Sequence, residues 1–452
     1  MNDLSEAPAV HPPADPDAIG RSAQRKAGLR LLPVLAVGYG IAYVDRVNIG
    51  FASLQMNRDL HFSATVYGLG AGLFFIGYAL CEVPSNLLLL RFGAKRWLTR
   101  IMFTWGLLSA ATMFVKTPLE FNVVRLLLGM AEAGFFPGVV YYLTLWFPTR
   151  MRARAVSRFY VALPLSSVVM GGLAGWLLGL NGKLGLAGWQ WLFLLEGLPA
   201  LGFSLVIFTL LPDGPETAAW LTPEEKAWLK GQLKADSAQA HLGHEAGVLQ
   251  ALRSSKVWMI GGFLFCALSI GHAYAFCAPA ILKGATGWSV TRVGYLVAGI
   301  GLAAAASMLL GSRHSDRHNE RALHCIVPCL VMCAGFALAG TTRLPWLLVL
   351  SLAICFWAYN ALLGPAFAVP TQFLAGRAAA TGIAAANTMA MLSGFVAPYY
   401  MGLMRDATGS YQAGLLGLVV PCLCGAVAMT VLTRSLKERE KSPQRGISEQ
   451  AS

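Results

Sequence analysis

The chain has 452 residues, of which 56% are hydrophobic and only 13% charged, with a mean hydropathy of +0.57. A water-soluble chain of this length would carry about 25% charged residues, so a soluble globular protein is excluded. The formal net charge of +13 would suit a nucleic-acid binder, but its distribution along the chain has a topological cause and leaves no role for nucleic acid.

Residues 1–29 open with a polar stretch rich in Pro, Ala and Asp. They hold no apolar core of the kind a cleavable signal peptide needs, and they are expected to be a disordered cytoplasmic tail. Apolar runs near the bilayer-spanning length of about 20 residues then recur at 30–53, 65–90, 97–115, 119–146, 156–180 and 189–211. A second series follows at 257–281, 291–311, 323–341, 345–369, 379–402 and 411–433. The runs are continuous rather than alternating, which indicates helices and not barrel strands. The 48 glycines fit close helix crossings, where small residues let backbones approach. Residues 30–211 and 257–433 are thus expected to form two six-helix halves, with residues 434–452 a C-terminal tail.

Between the halves, residues 212–256 form the one long hydrophilic interruption and are read as a cytoplasmic linker. Thr222 with Glu225 has the spacing of a capping box opening a short surface helix. Most of the 35 basic residues fall on alternate connections, among them Arg25 and Lys26, Arg91 to Arg100, Arg150 to Arg158, and Arg434 to Arg445. The positive-inside rule then places both termini in the cytoplasm. A weak internal repeat agrees, with RFGAKR at 91–96 answered by SDRHNER at 315–321, as expected for carriers built from repeated halves.

All nine cysteines lie in apolar segments, and Cys325, Cys329 and Cys333 share a helix face. They read as small buried hydrophobes, with a metal site the alternative. Neither metal nor cofactor is expected.

Ionisable groups at membrane depth cost at least a few kcal/mol and are functional candidates by default. The first span holds Asp45 and Arg46, and the fourth holds Arg125 and Glu132, two turns apart on nearly one face. An arginine fork binds a carboxylate bidentately and keeps its own charge. A buried acid beside it loads or releases a proton as its surroundings change. Arg46 is therefore the first choice for a substrate carboxylate, Asp45 and Glu132 for the proton, and Arg125 for holding Glu132. The alternative is two charge pairs that merely lock helices together. The second half offers neutral groups instead: His272, Tyr274, Trp357, Tyr359, Asn360, Thr371, Gln372 and Asn387. Glu196 is expected to structure the cytoplasmic end of the sixth span, and Glu82 and Asn86 to serve structure in the second.

Several stretches together resemble the anion:cation symporter family of the major facilitator superfamily. They are YVDRVNIGFA at 43–52, FIGYALCEVPSN at 75–86, RLLLGMAEAGFFPG at 125–138, WQWLFLLEG at 189–197, HSDR at 314–317 and the stretch 376–387. The resemblance covers nearly the whole chain. It implies an all-α integral membrane protein with twelve transmembrane helices in two pseudo-symmetric bundles, working by alternating access in the bacterial inner membrane. It also implies protons and a small organic anion as partners, a tartrate, sugar acid or aromatic acid, and a monomeric transport unit embedded in lipid. By similarity Asp45 and Glu132 couple protons, while Arg46, Arg125, Tyr43, Tyr78 and Asn387 line the substrate site. The chain departs from the family at Leu90, where an Asp is usual, at Ala162-Leu163-Pro164-Leu165, where sugar-acid carriers have an amide, and at Cys277-Ala278-Pro279, which lacks a Trp. These departures leave an aromatic or less hydroxylated acid as open as a sugar acid. Exchange or efflux on the same scaffold and a non-transporting sensor remain alternatives. An intramembrane enzyme does not, because the chain holds no His-Glu-x-x-His, Gly-x-Ser-x-Gly or phosphate-loop motif.

Overall fold

In lipid a backbone must satisfy its own hydrogen bonds, and the chain does so almost entirely as helix. The computed structural model of the chain describes residues 16–148, 151–152, 155–156, 159, 162–241, 253–318, 320–372 and 376–449. Every regular element among them is helical. The first half contains α1 (Pro16–Asp59), α2 (Ala64–Phe92), α3 (Ala94–Ala111), α4 (Pro118–Glu132), α5 (Phe135–Thr144), α6 (Ala162–Leu178) and α7 (Gly188–Leu210). The linker contributes α8 (Pro223–His241). The second half contains α9 (Ser255–Thr286), α10 (Val290–His318), α11 (Leu323–Thr341), α12 (Pro345–Ala368), α13 (Gly376–Met391), α14 (Ser393–Thr408), α15 (Gln412–Gly417) and α16 (Val419–Glu449).

Nine helices among the described residues are long and apolar enough to cross a membrane. The three other expected spans have visible reasons to fall short. Helix α3 starts with Lys95, Arg96 and Arg100, α6 has only a short described apolar stretch at Val168–Leu178, and the 379–402 run is divided between α13 and α14 at Leu392. Outward-facing side chains such as Leu80 (66% exposed), Leu87 (63%) and Phe114 (70%) need hydrocarbon around them, because soluble proteins rarely bare such patches.

Local chemistry sets the helix ends. Ser63 caps α2 by accepting from Val66 N at 3.2 Å. Thr117 and Glu120 close a capping box on α4. The fourth span breaks between α4 and α5 because Gly134 takes φ +88°, where a Cβ would also run into Ser85 Oγ.

Residues 16–29 correct the expectation of a disordered tail, since they form the first turns of α1. Ala23 and Ala27 are fully buried, Gly20 sits against the Trp228 ring, and Glu225 accepts from Ser22 Oγ at 2.7 Å and Lys26 Nζ at 2.9 Å. The four-residue spacing of Ala23, Ala27, Leu31 and Leu35 gives α1 a buried apolar stripe, and its start docks on the linker helix through Gly20, Ser22 and Lys26. The Thr222–Glu225 capping box is formed, with Glu225 N on Thr222 Oγ1 at 3.3 Å and Thr222 N on Glu225 Oε2 at 2.9 Å. The linker is also fastened to the first half where Tyr142 Oη donates to Pro212 O at 2.7 Å and Trp220 stacks on Trp146.

The described contacts between residues 30–211 and 257–433 gather at the end of the bundle remote from α8. There Gly50 meets the Ala275 carbonyl, Gly68 meets Pro398, Gly72 meets Phe395, Gly402 meets Ala64, and Gly171 meets Gly294. Tyr67 Oη donates to Phe276 O at 2.8 Å. The Asp406 carboxylate accepts from Ala64 N at 3.0 Å and Thr65 N at 2.7 Å, at the start of α2. The halves are thus closed against each other at the end holding the α1–α2 turn.

Candidate functional site

Two polar clusters lie inside the first half, and α1 supplies a residue to both. In one, Arg46 bonds and ion-pairs with Glu132 of α4. The Glu132 side chain is 2% exposed and that of Arg46 17%. The Arg46 guanidinium lies 5.4 Å from the Phe74 ring and 5.5 Å from the Tyr78 ring. Arg125 approaches Phe74 as well, at 5.0 Å, so one phenyl ring serves two guanidinium groups.

Arg125 is only 1% exposed, and its Nε, Nη1 and Nη2 have no hydrogen-bond partner among the described residues. This corrects the expectation that Arg125 holds Glu132 by a bond, while the two still interact electrostatically. Spacing along α4 puts the two on nearly one face, but the break at Gly134 and the proximity of α1 bring Glu132 to Arg46. Arg125 is left with unmatched donors in the bundle interior.

In the other cluster Asp45 is 2% exposed and accepts from Trp105 Nε1 at 2.8 Å, from Ser109 Oγ, and from Asn48 Nδ2 at 3.4 Å. Asn48 Nδ2 also donates to Glu196 Oε2 at 2.5 Å. Glu196 therefore does not sit at the linker end of its span, the end expected from the sequence to be cytoplasmic. It is the ninth residue of α7, counted from Gly188, toward the end away from the linker. The motif WQWLFLLEG fills the first turns of that helix, so its acid lies in the half opposite to the one expected.

The remaining expected residues are more scattered. Tyr78 packs against Arg46 as stated, and Tyr43, one turn before Arg46 on α1, is half-buried. Asn387 is half-buried on α13, and no described contact brings it to either cluster. The side chains of Thr371 and Gln372 lie outside the described residues. Glu82 is half-buried and within electrostatic reach of Arg46.

From the second half, His272 Nδ1 lies 2.9 Å from Ser393 Oγ. The Ser393 hydroxyl proton is committed to Ala390 O at 2.6 Å, so His272 Nδ1 is the donor and its Nε2 is left as an acceptor. The ring is held edge-on by Phe75 across the boundary between halves, with centroids 4.7 Å apart, and stacked on Phe276. Tyr274 and Phe356 stack nearby at 3.9 Å.

Sequence reasoning missed Asn48, Trp105, Ser109 and Phe74. The spacing of Asp45 with Asn48 and of Trp105 with Ser109 showed that each pair shares a helix face, but not which helices face each other. The nine cysteines are all free, and no group of three potential metal ligands occurs among the described residues.

The profile of the Major Facilitator Superfamily matches residues 35–398 and 265–449. The chain is 44% identical over 416 residues to a Pseudomonas putida metabolite transport protein, provisionally named NicT, covering 91% of this chain and 94% of that one. It is 42% identical over 411 residues to an Agrobacterium vitis protein provisionally named a tartrate transporter, covering 91% of each. It is also 39% identical over 420 residues to a quinolone resistance transporter of Acinetobacter baumannii, covering 92% of this chain and 96% of that one. Among solved structures, a bacterial homolog of the human lysosomal transporter Spinster superposes with TM-score 0.77 at 18% identity, over 92% of this chain and 98% of that one. The D-xylose–proton symporter superposes with TM-score 0.70 at 16% identity, over 89% and 97%. Helical architecture, family profile and full-length relatives agree: the chain belongs to the major facilitator superfamily, with its twelve-helix fold, and is a multi-pass membrane transporter and not an enzyme.

Proposed function

We propose that the protein is a proton-coupled symporter that imports a small organic anion by alternating access. Its cargo is a carboxylate such as tartrate, a sugar acid or an aromatic acid. It works as a monomer in the bacterial inner membrane with both termini in the cytoplasm. The observation that carries this reading is the Arg46–Glu132 pair beside the unmatched guanidinium of Arg125.

A carboxylate cargo competes with Glu132 for Arg46, and Arg125 adds a second cation to draw it in. Once displaced, Glu132 stands in a dry site, where an unpaired charge costs several kcal/mol. Taking up a proton removes that cost. Anion and proton therefore load together, with Asp45 the second acid of the site. Arg46, Arg125, Tyr43 and Tyr78 receive the cargo from one half, and Asn387 and the His272 Nε2 acceptor face it from the other. The provisional tartrate name of a relative supports a carboxylate.

The quinolone resistance relative favours a second reading, export or exchange on the same scaffold. Uptake in proteoliposomes, with and without an inward proton gradient, separates the two. Tartrate, galactonate, phthalate and 4-hydroxyphenylacetate serve as cargo. Symport requires gradient-stimulated uptake of one acid, abolished by Glu132→Gln while anion exchange survives. Uptake indifferent to both the gradient and the substitution sinks it.

A further inference from the structure

The Asp45–Asn48–Glu196 cluster holds more acid than the reading above uses. Asp45 has three donors on it, from Trp105, Ser109 and Asn48, enough to sustain a buried carboxylate. Glu196 is also buried, at 7% exposure, yet it has a single described donor, Asn48 Nδ2. Its Oε1 is buried without a partner among the described residues, and so is Asn48 Oδ1. Arg46 and Arg125 do not serve it: Arg46 is bonded to Glu132, and Arg125 acts electrostatically on Asp45 and Glu132. Among the described residues, the charged group that acts on Glu196 is Asp45 on α1. Helix α3, packed on α7 through Gly106 and Gly197, presents only the neutral Trp105 and Ser109 to this cluster.

Two buried oxygens lacking donors, on residues already in contact, call for a proton between them. A proton on Glu196 supplies it, and the Asn48 amide can then turn its oxygen toward the new O–H. When the proton leaves, only Nδ2 can face the carboxylate. Asp45 interacts electrostatically with both Glu132 and Glu196, so it stands between the Arg46 site and this third acid.

We propose that Glu196 and Asp45 share one exchangeable proton across Asn48, which makes Glu196 a proton-coupling residue of the transport cycle. In one state Glu196 is neutral and Asp45 anionic. Transfer leaves Asp45 neutral and Glu196 anionic, with the proton as the only species moved. The inference rests on the proton-symport reading.

The test is anion accumulation by the full chain in proteoliposomes across a series of imposed pH gradients, for wild type, Glu196→Gln and Glu196→Asp. Each coupled proton multiplies equilibrium accumulation about tenfold per pH unit of gradient. Glu196→Gln is expected to lower the slope of log accumulation against the gradient by about one and to flatten the pH profile, while Glu196→Asp restores both. An unchanged slope and profile in Glu196→Gln, with only the rate or the melting temperature altered, overturns the proposal and leaves Glu196 a structural residue. A wild type insensitive to the gradient removes the symport reading itself, a separate result. If Glu196→Gln does not fold, infrared difference spectra of the wild type and Glu196→Asp decide. A protonated-carboxyl band that titrates and moves in Glu196→Asp supports the proposal, and no such band overturns it.

Discussion

Among the described residues, one exposed polar clasp, Asp406 on the start of α2, joins the halves at their closed end. Helix α2 begins with N–H groups that have no partner within the helix. Ser63 takes one of them, from Val66. The next two, on Ala64 and Thr65, are taken by Asp406 from the end of α14, at 3.0 and 2.7 Å. Replacing Asp406 with Ala removes a cap of about 1 kcal/mol and a charge at a helix N-terminus worth about 0.3–1 kcal/mol. A loss of about 1–2 kcal/mol is a factor of about 5–30 in an equilibrium, here that between closed and open arrangements of this end. Asp406 lies beyond the apolar run 379–402. Its partial burial acts to raise its pKa, but the bonds from Thr65, Ser63 and Ala64 outweigh this and hold it below the ordinary aspartate value. The clasp is therefore at full strength above about pH 4, the value of a free aspartate, and is lost as pH falls through the lowered value. Spin labels at Asp59 and Ser410, in a background without native cysteines, would report the separation. Asp406→Ala should populate a longer distance at neutral pH that the wild type shows only in strong acid. If the two distance distributions coincide at neutral pH while both proteins remain folded, the clasp does not hold this end and the reasoning fails.

Two further substitutions test packing and docking. Gly129→Ala puts a Cβ into the Phe74 carbonyl oxygen and should cost about 1–3 kcal/mol, seen as a lower melting temperature. Transport should be lost with it, since Phe74 is pushed away from Arg46 and Arg125, whereas Gly202→Ala, with nothing within 4 Å, should be silent in both assays. At the other end of the bundle, burial acts to raise the Glu225 pKa, but the bonds from Lys26, Ser22 and Thr222 and the Lys26 charge outweigh it and hold the carboxyl low. Glu225→Gln should therefore weaken docking of residues 16–29 by about 1 kcal/mol. Hydrogen exchange in that segment should rise about fivefold at neutral pH, and acid below about pH 4 should do the same to the wild type. An unchanged exchange rate would mean that Ala23, Ala27 and Trp228 hold the segment without the ion pair.

How much of this was legible in the sequence depended on whether the property is local. Spans could be read because a bilayer imposes length and apolarity one helix at a time. Asp45, Arg46, Arg125 and Glu132 stood out because charge at that depth is expensive whatever surrounds it. Pairing could not be read in this way. Glu132 goes to Arg46 and not to Arg125 because of how α1 and α4 are rotated about their axes, and that depends on every contact they make. Glu196 was misplaced for a simpler reason: helix direction alternates, so its distance from Gly188, not from the linker, fixes its depth. The docked start of α1 is hidden in the sequence because its net polarity masks the apolar stripe of Ala23, Ala27, Leu31 and Leu35.

The division of labour between the halves bears on how they can part. Asp45, Arg46, Arg125, Glu132 and Glu196 all belong to the first half, and near them the second half presents His272, bonded to Ser393, and Phe276, both against Phe75. Among the described residues, rocking one half against the other therefore breaks no buried ion pair, which would otherwise leave a charge costing about 3–5 kcal/mol. What it breaks is close packing at glycines, the Phe75 ring against His272 and Phe276, and the bonds Tyr67–Phe276 and Asp406–Ala64/Thr65. The glycine contacts are dispersion over small areas, each weak on its own, and water entering the opened end can replace the few hydrogen bonds. A boundary made this way is tight when closed and inexpensive to open. The buried charges of the first half stay together on one side throughout.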